Sequence, residues 1–155
     1  MEDYYNVIAG SYNELHGEEQ EEKLRLLKVH WNPRGLILDI GCGTNIANKF
    51  FKNIIGIDKN FKMLKTGINV CCLAEHLPFK DKSFDAILCL TAFHNFDNPE
   101  RAISEMKRVV KKDNVVISIL KKSKKFNKLK GIIEKNFNAK KIDSKKDVIF
   151  ISQTC

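Results

Sequence analysis

At 155 residues, with 43% hydrophobic and 30% charged residues and no apolar run near the roughly 18 of a membrane span, the chain reads as one globular domain over 1–155 with no membrane partner. Its opening MEDYYNVIAG lacks the basic and then apolar stretches of a secretory leader, so a cytoplasmic location is expected. The net charge of +8 divides into −3 over residues 1–100 (11 Lys+Arg, 14 Asp+Glu) and +11 over residues 101–155 (16 and 5), which points to a polyanionic partner on one side.

In chain order, Glu18–Val29 opens polar and then carries Leu24, Leu26, Leu27 and Val29, the pattern of an amphipathic helix. Residues 1–30 are therefore expected to form an N-terminal helical cap. Leu36–Ile40 is a buried strand, Asn45–Phe51 a short helix and Ile54–Asp58 a second strand. Phe61–Thr66 has a helical look, and Ile68–Leu73 is a third strand. Phe84–Thr91 is apolar almost throughout, as a strand covered on both faces is. Asn98 and Pro99 suit the cap and first turn of a helix running to Val110.

Val115–Leu120 is a fifth strand, and Lys124–Asn136 a basic helix with Phe126, Leu129, Ile132 and Ile133 on one stripe. Two last strands, near Ala139–Ile142 and Val148–Ser152, are joined by the turn Asp143–Asp147. Alternating strands and helices closed by a hairpin imply an α/β fold. The expected form is a doubly wound, seven-stranded Rossmann-like sheet, mostly parallel with a C-terminal antiparallel hairpin.

The five cysteines (Cys42, Cys71, Cys72, Cys89 and Cys155) form no Cys-x-x-Cys pair or Cys/His cluster. Buried free thiols are expected, with no metal. The chemistry concentrates in Leu36–Asn45, LILDIGCGTN. A buried strand there runs into a glycine turn that brings bare backbone to a ligand. Asp58, at the end of the next strand, stands where a carboxylate can bind ribose hydroxyls. The spacing is acidic-x-G-x-G, with Ile46 where a dinucleotide fold has its third glycine. A carboxylate at Asp39 repels a pyrophosphate and suits a cationic amine, which favours S-adenosylmethionine over NAD.

LILDIGCGTN, GIDKN, AEHLPFKDKSFDAILCLTAFHNFDNP and EMKRVVKKDNVVISI together resemble, in order and spacing, the class I S-adenosylmethionine-dependent methyltransferases. The likeness is to the type 11 group, which includes ubiquinone/menaquinone-biosynthesis enzymes, and it covers nearly the whole chain. It implies that Gly41, Cys42 and Gly43 pass under the methionine part of S-adenosylmethionine, with Asp39 on its amino group. Asp58 would hold the ribose hydroxyls, with Lys59 beside the adenine. Ala74 and Glu75 would meet the adenine, and Leu90 would floor the site near the methyl group. The likeness also implies an N-terminal aromatic that closes over the cofactor, for which Tyr4, Tyr12 and His16 are the candidates. His94, after the fourth strand, is a candidate general base or a structural histidine. In two places the chain departs from the family: Asn45 replaces a frequent glycine, and Leu73 replaces the acid that reaches the adenine amine.

The segment Leu90-Thr91-Ala92-Phe93 is not the Asn/Asp-Pro-Pro-Tyr/Phe of amino-methylating enzymes, and there is no Pro-Cys pair for covalent attack. The acceptor is expected to be a small molecule, from the resemblance, or tRNA, from the basic C-terminal third. Only 4 of the 27 basic residues are arginines, the residue that reads bases with a fork. Some small family members need an activating protein subunit. The other readings are a non-catalytic or partner-dependent cofactor-binding subunit, and a nucleotide-dependent oxidoreductase.

Overall fold

The computed structural model describes the backbone of residues 12–153 and the side chains of residues 17–153. Its strands are β1 (Ile37–Ile40), β2 (Ile54–Asp58), β3 (Ile68–Cys71), β4 (Ala86–Cys89), β5 (Val115–Leu120), β6 (Ala139–Asp143) and β7 (Asp147–Ser152). They form one sheet in the order β3-β2-β1-β4-β5-β7-β6. Strands β1 to β5 are parallel, and β7 runs antiparallel to both β5 and β6. This is the expected doubly wound sheet with its terminal hairpin.

Every residue of β1 and β4 is buried, and alternate side chains enter opposite layers. Leu38, Ile40, Ile87 and Cys89 pack with α2 (Pro99–Val109) and α3 (Phe126–Asn136). On the other face, Ile37, Ala86 and Leu88 meet Leu24, Leu27 and Trp31, which come from α1 (Tyr12–His30) and the residue after it. Trp31 is pinned by its indole N–H on Asn114 Oδ1 (2.6 Å) and an edge-on contact with Phe51. The cap of α2 is as expected, with the Asn98 side chain accepting from the Arg101 N–H and Pro99 in the first turn.

Two expected helices shrink to single 3₁₀ turns, Ile46–Lys49 and Phe61–Met63. Asn45 enters the first left-handed, at φ 60° and ψ 43°, and Leu64 leaves the second extended, ahead of Gly67 at φ 80°. Neither start nor stop leaves room for a second helical turn. Strand β4 is shorter than the apolar run, because Phe84 makes only an isolated bridge to Val110 and Thr91 turns left-handed. Cys42 and Cys89 are buried free thiols, but Cys71, on the edge strand β3, is exposed.

Candidate active site

The strand order reverses between β1 and β4: the chain runs outward from β1 to β2 and β3, then returns to the other side of β1. Open α/β sheets bind ligands in the crevice at such a point, beyond the carboxyl ends of the strands. A cleft of about 280 Å³ lies there, walled by the turns after β1 and β4, the end of β2 and the segment after β3. It brings together Gly41, Gly43, Asp58, Lys59, Ala74, Glu75 and Leu90, most of the residues expected of a cofactor site.

Gly41 and Gly43 have φ of 69° and 55°. A Cβ on Gly41 would lie 2.5 Å from the Cβ of Ala92, so only bare backbone lets the β1 and β4 turns close on each other. Asn45 supplies the next left-handed residue, which its short polar side chain tolerates. Its amide donates to Asn69 Oδ1 (2.9 Å) and to the Thr66 carbonyl (3.3 Å). Asparagine therefore does here what a third glycine could not, tying the β1 turn to the approach to β3.

The Asp58 carboxylate joins two loops: Oδ2 accepts the Gly43 N–H and Oδ1 the Asn60 N–H, each at 2.9 Å. Each oxygen keeps a further lone pair for a ligand hydroxyl. Burial raises its pKa, partly offset by those two N–H groups. Asp39 is buried behind the glycine turn rather than on the cleft wall. Burial first, and the Asp58 charge second, hold its pKa well above the ordinary carboxylate value. A cationic group at this turn offsets both effects, whereas a pyrophosphate adds to them. The four-residue 3₁₀ turn that follows also lacks the α-helical N-terminus that holds a phosphate in dinucleotide folds. The residues present thus fit an amino-acid-bearing nucleoside better than NAD.

The opposite wall is less as expected. Leu73 is 44% exposed and lines the cleft as an apolar surface. Glu75 is buried, and its Oε1 accepts the Asn98 N–H at the start of α2 (3.1 Å). Its carboxylate thus anchors α2 while the residue still lines the cleft, beside the apolar surface of Leu73 and Ala74. Cys42 does not line the cleft; a Cβ on Gly56 would lie 2.6 Å from its Sγ, so the thiol fills the space that Gly56 leaves. Burial and two carboxylates push that thiol up.

His94 sits in a 3₁₀ turn after β4 (Phe93–Asn95) and is not on the cleft wall. Its Nδ1 is buried with no partner among the described residues. Burial lowers its pKa against the opposing pull of Asp147, which favours the neutral ring. Tyr4 and the side chains of Tyr12 and His16 lie outside the described residues. The wall also contains Asn60, Met63, Cys72, Thr91, Phe96 and Asp97, to which the sequence reading assigns no role at the site. Burial pushes the Cys72 thiol up to about 11, a weak nucleophile. Among the described residues no cluster of His, Cys, Asp and Glu could hold a metal, and no helix is long and apolar enough to cross a membrane.

The chain matches the model of the methyltransferase domain family over residues 38–118, a span that holds the β1 turn, Asp58 and the β4 turn. An uncharacterized protein of Methanocaldococcus jannaschii is 33% identical over 125 residues, which are 76% of this chain and 50% of that protein. A human protein named as a probable tRNA methyltransferase 9B is 36% identical over 68% of this chain and 25% of its own length. Among solved structures, a Thermotoga maritima S-adenosylmethionine-dependent methyltransferase, described as a possible histamine N-methyltransferase, superposes with a TM-score of 0.67. It is 26% identical and covers 88% of this chain and 72% of its own. The chain thus spans half or less of the two curated relatives.

Proposed function

Since this chain belongs to the methyltransferase domain family, we propose that it binds S-adenosylmethionine in the cleft between the β1 and β4 turns and methylates an acceptor that enters beside the β4 turn. When bound, that cofactor supplies a methyl group already activated on a sulfonium. The observation that carries the reading is the pair of carboxylates at the glycine turn: Asp39, desolvated and set against the Asp58 charge, and Asp58, held open by Gly43 and Asn60. Asp39 would attract the amino group of the methionine part, while Asp58 would take the ribose hydroxyls with its remaining lone pairs. Gly41 and Gly43 give the ligand backbone contact without side-chain obstruction. Leu73 and Met63 offer apolar surface to an adenine, with Lys59 at its edge. Leu90 and Thr91 would close the floor against water, so that most of the acceleration comes from alignment. His94 would serve as a base only if the acceptor must lose a proton and the ring reaches it.

One observation favours a polyanionic acceptor such as tRNA over a small molecule. Lys122, Lys124, Lys125, Lys128 and Lys135, on α3 and its approach, are exposed and form no ion pair among the described residues, whereas Lys121, Lys141, Lys145 and Lys146 do. An unneutralised row of this kind is what a phosphate backbone recruits.

Calorimetry with S-adenosylhomocysteine and with NAD tests the donor site: binding of the first is expected, and binding of NAD alone would sink the reading. Transfer of labelled methyl into fractionated cell extract then identifies the acceptor, with label expected in RNA. Label confined to small molecules, or no tRNA binding at low salt, would reverse the choice of acceptor.

A further inference from the structure

The β4 turn is held by buried polar groups that arrive from three separate elements. Thr91 is β-branched and sits at φ 53°, a conformation such residues adopt only under constraint. Its N–H donates to Ser118 Oγ in β5 (2.8 Å), and its hydroxyl donates to Asp147 Oδ2 at the start of β7 (2.9 Å). Ser118 Oγ donates to the same carboxylate oxygen (2.9 Å). Lys23 Nζ, from α1, lies 3.1 Å from that oxygen and also donates to the Thr91 hydroxyl. Ser118 and Asp147 are 0% exposed and Lys23 is 4% exposed.

The direction of these bonds is informative. Both donors of Thr91, the backbone N–H and the side-chain hydroxyl, are taken by this cluster. A buried ion pair is weak evidence for stability, since apolar groups often replace one without loss. Here the bonds converge instead on the one strained residue of the cleft floor. Thr91 itself lines the cleft, and its neighbour Ala92 is the residue against which Gly41 has no room for a Cβ. A relaxed Thr91 would therefore carry Ala92 away from the glycine turn and open the floor.

We propose that Ser118, Asp147 and Lys23 are positioning residues that hold Thr91 left-handed and so set the β4 turn against the glycine turn of the methyl-donor site. The inference rests on the donor-site reading above. It also makes α1 and the β6–β7 hairpin, which place no described residue on the cleft wall, contributors to cofactor affinity.

The test is a pair of double-mutant cycles on S-adenosylhomocysteine affinity, read by calorimetry, with exchange of the Thr91 amide in the free protein as a second readout. Ser118→Ala removes the bond to the Thr91 N–H and no charge; about tenfold weaker binding is expected, with Thr91 amide exchange at least tenfold faster. Asp147→Asn should act in the same direction. In a Thr91→Gly background, where the left-handed turn needs no support, Ser118→Ala should change affinity less than twofold. Affinity of Ser118→Ala within twofold of wild type, or a tenfold loss that persists beside Thr91→Gly, would overturn the proposal. If Asp147→Asn does not fold, the Ser118 cycle decides alone. A wild-type protein that binds no S-adenosylhomocysteine would overturn the donor-site reading and this inference with it. Normal binding without coupling in the cycle would overturn this inference only.

Discussion

The two walls of the cleft are built by different means. On the β1–β2 side the contacts of the central carboxylate are short in sequence and use backbone: Asp58 holds an N–H two residues on and another 15 residues back. On the β4 side they are made by side chains 27, 56 and 68 residues from Thr91. The first wall is a set of turns shaped by glycine and asparagine. The second is a turn imposed on an ordinary residue by tertiary structure. A ligand site thus draws on two sources of rigidity, and each should fail in its own way when disturbed.

The largest expected effect falls on the β4 side. Asp147→Ala leaves the Lys23 ammonium buried without a counter-charge and should lower unfolding stability by about 3–5 kcal/mol, measured by denaturant titration. A loss under about 1 kcal/mol would erase the contrast. On the other wall the effect should appear in affinity more than in stability. Asp58→Ala is expected to weaken S-adenosylhomocysteine binding by roughly 1–3 kcal/mol, through lost ligand bonds and two orphaned N–H groups. Gly41→Ala should cost about 1–2 kcal/mol of the same affinity, from a left-handed residue with a Cβ aimed at Ala92; unchanged calorimetry would remove the close approach from the account.

Acid should sharpen the comparison, because the pKa shifts of the carboxylates run in opposite directions. Burial holds the pKa of Asp39 and Asp58 above the free value of 3.8. As pH falls through those raised values the folded state is relieved of two desolvated charges, but the charge that would attract an amine is lost. Affinity for S-adenosylhomocysteine should therefore decline at a higher pH than an ordinary aspartate would give. Glu105 is the opposite case. Its bonds with Arg108 (2.8 and 2.9 Å), and then the Leu77 N–H, bring its pKa down from 4.5 to about 2. That stabilisation is complete above about pH 4.5 and disappears as pH falls toward 2. Thermal unfolding across that range should show a loss that Glu105→Gln lacks.

The β1–β2 wall was open to reading from sequence because its information is local. Ile54–Asp58 and Val115–Leu120 occur as their apolar runs foretell, and Gly41, Gly43 and Asp58 meet at the cleft because strand length and turn spacing place them there. The helices expected over 45–51 and 61–66 form only as single 3₁₀ turns, since apolar spacing is silent about a left-handed Asn45 and an extended Leu64. Glu75 lines the cleft as expected, but no motif shows that its carboxylate also reaches the Asn98 N–H, 23 residues on. Thr91 carried no signal of its own. The signals that existed were its partners: a serine inside the apolar run VVISIL, and a lysine beside Leu24 near the apolar stripe of a helix. Only the strand order, with β7 set against β5, brings those residues to one point.

The place of β7 in the sheet also bears on how the molecule is made. Strand β5 pairs with β4 on one side and with β7 along all six of its own residues, Val115–Leu120, on the other. Yet β7 leaves the ribosome after α3 and β6. Until it arrives, a strand that is apolar but for Ser118 has an open edge able to recruit the wrong partner, and Lys23 lacks the counter-charge of Asp147. Sheet closure during synthesis is therefore a late, long-range event. The same step that seals the edge of β5 delivers Asp147 to Thr91, so a nascent chain would complete the floor of its cleft only when that edge is closed.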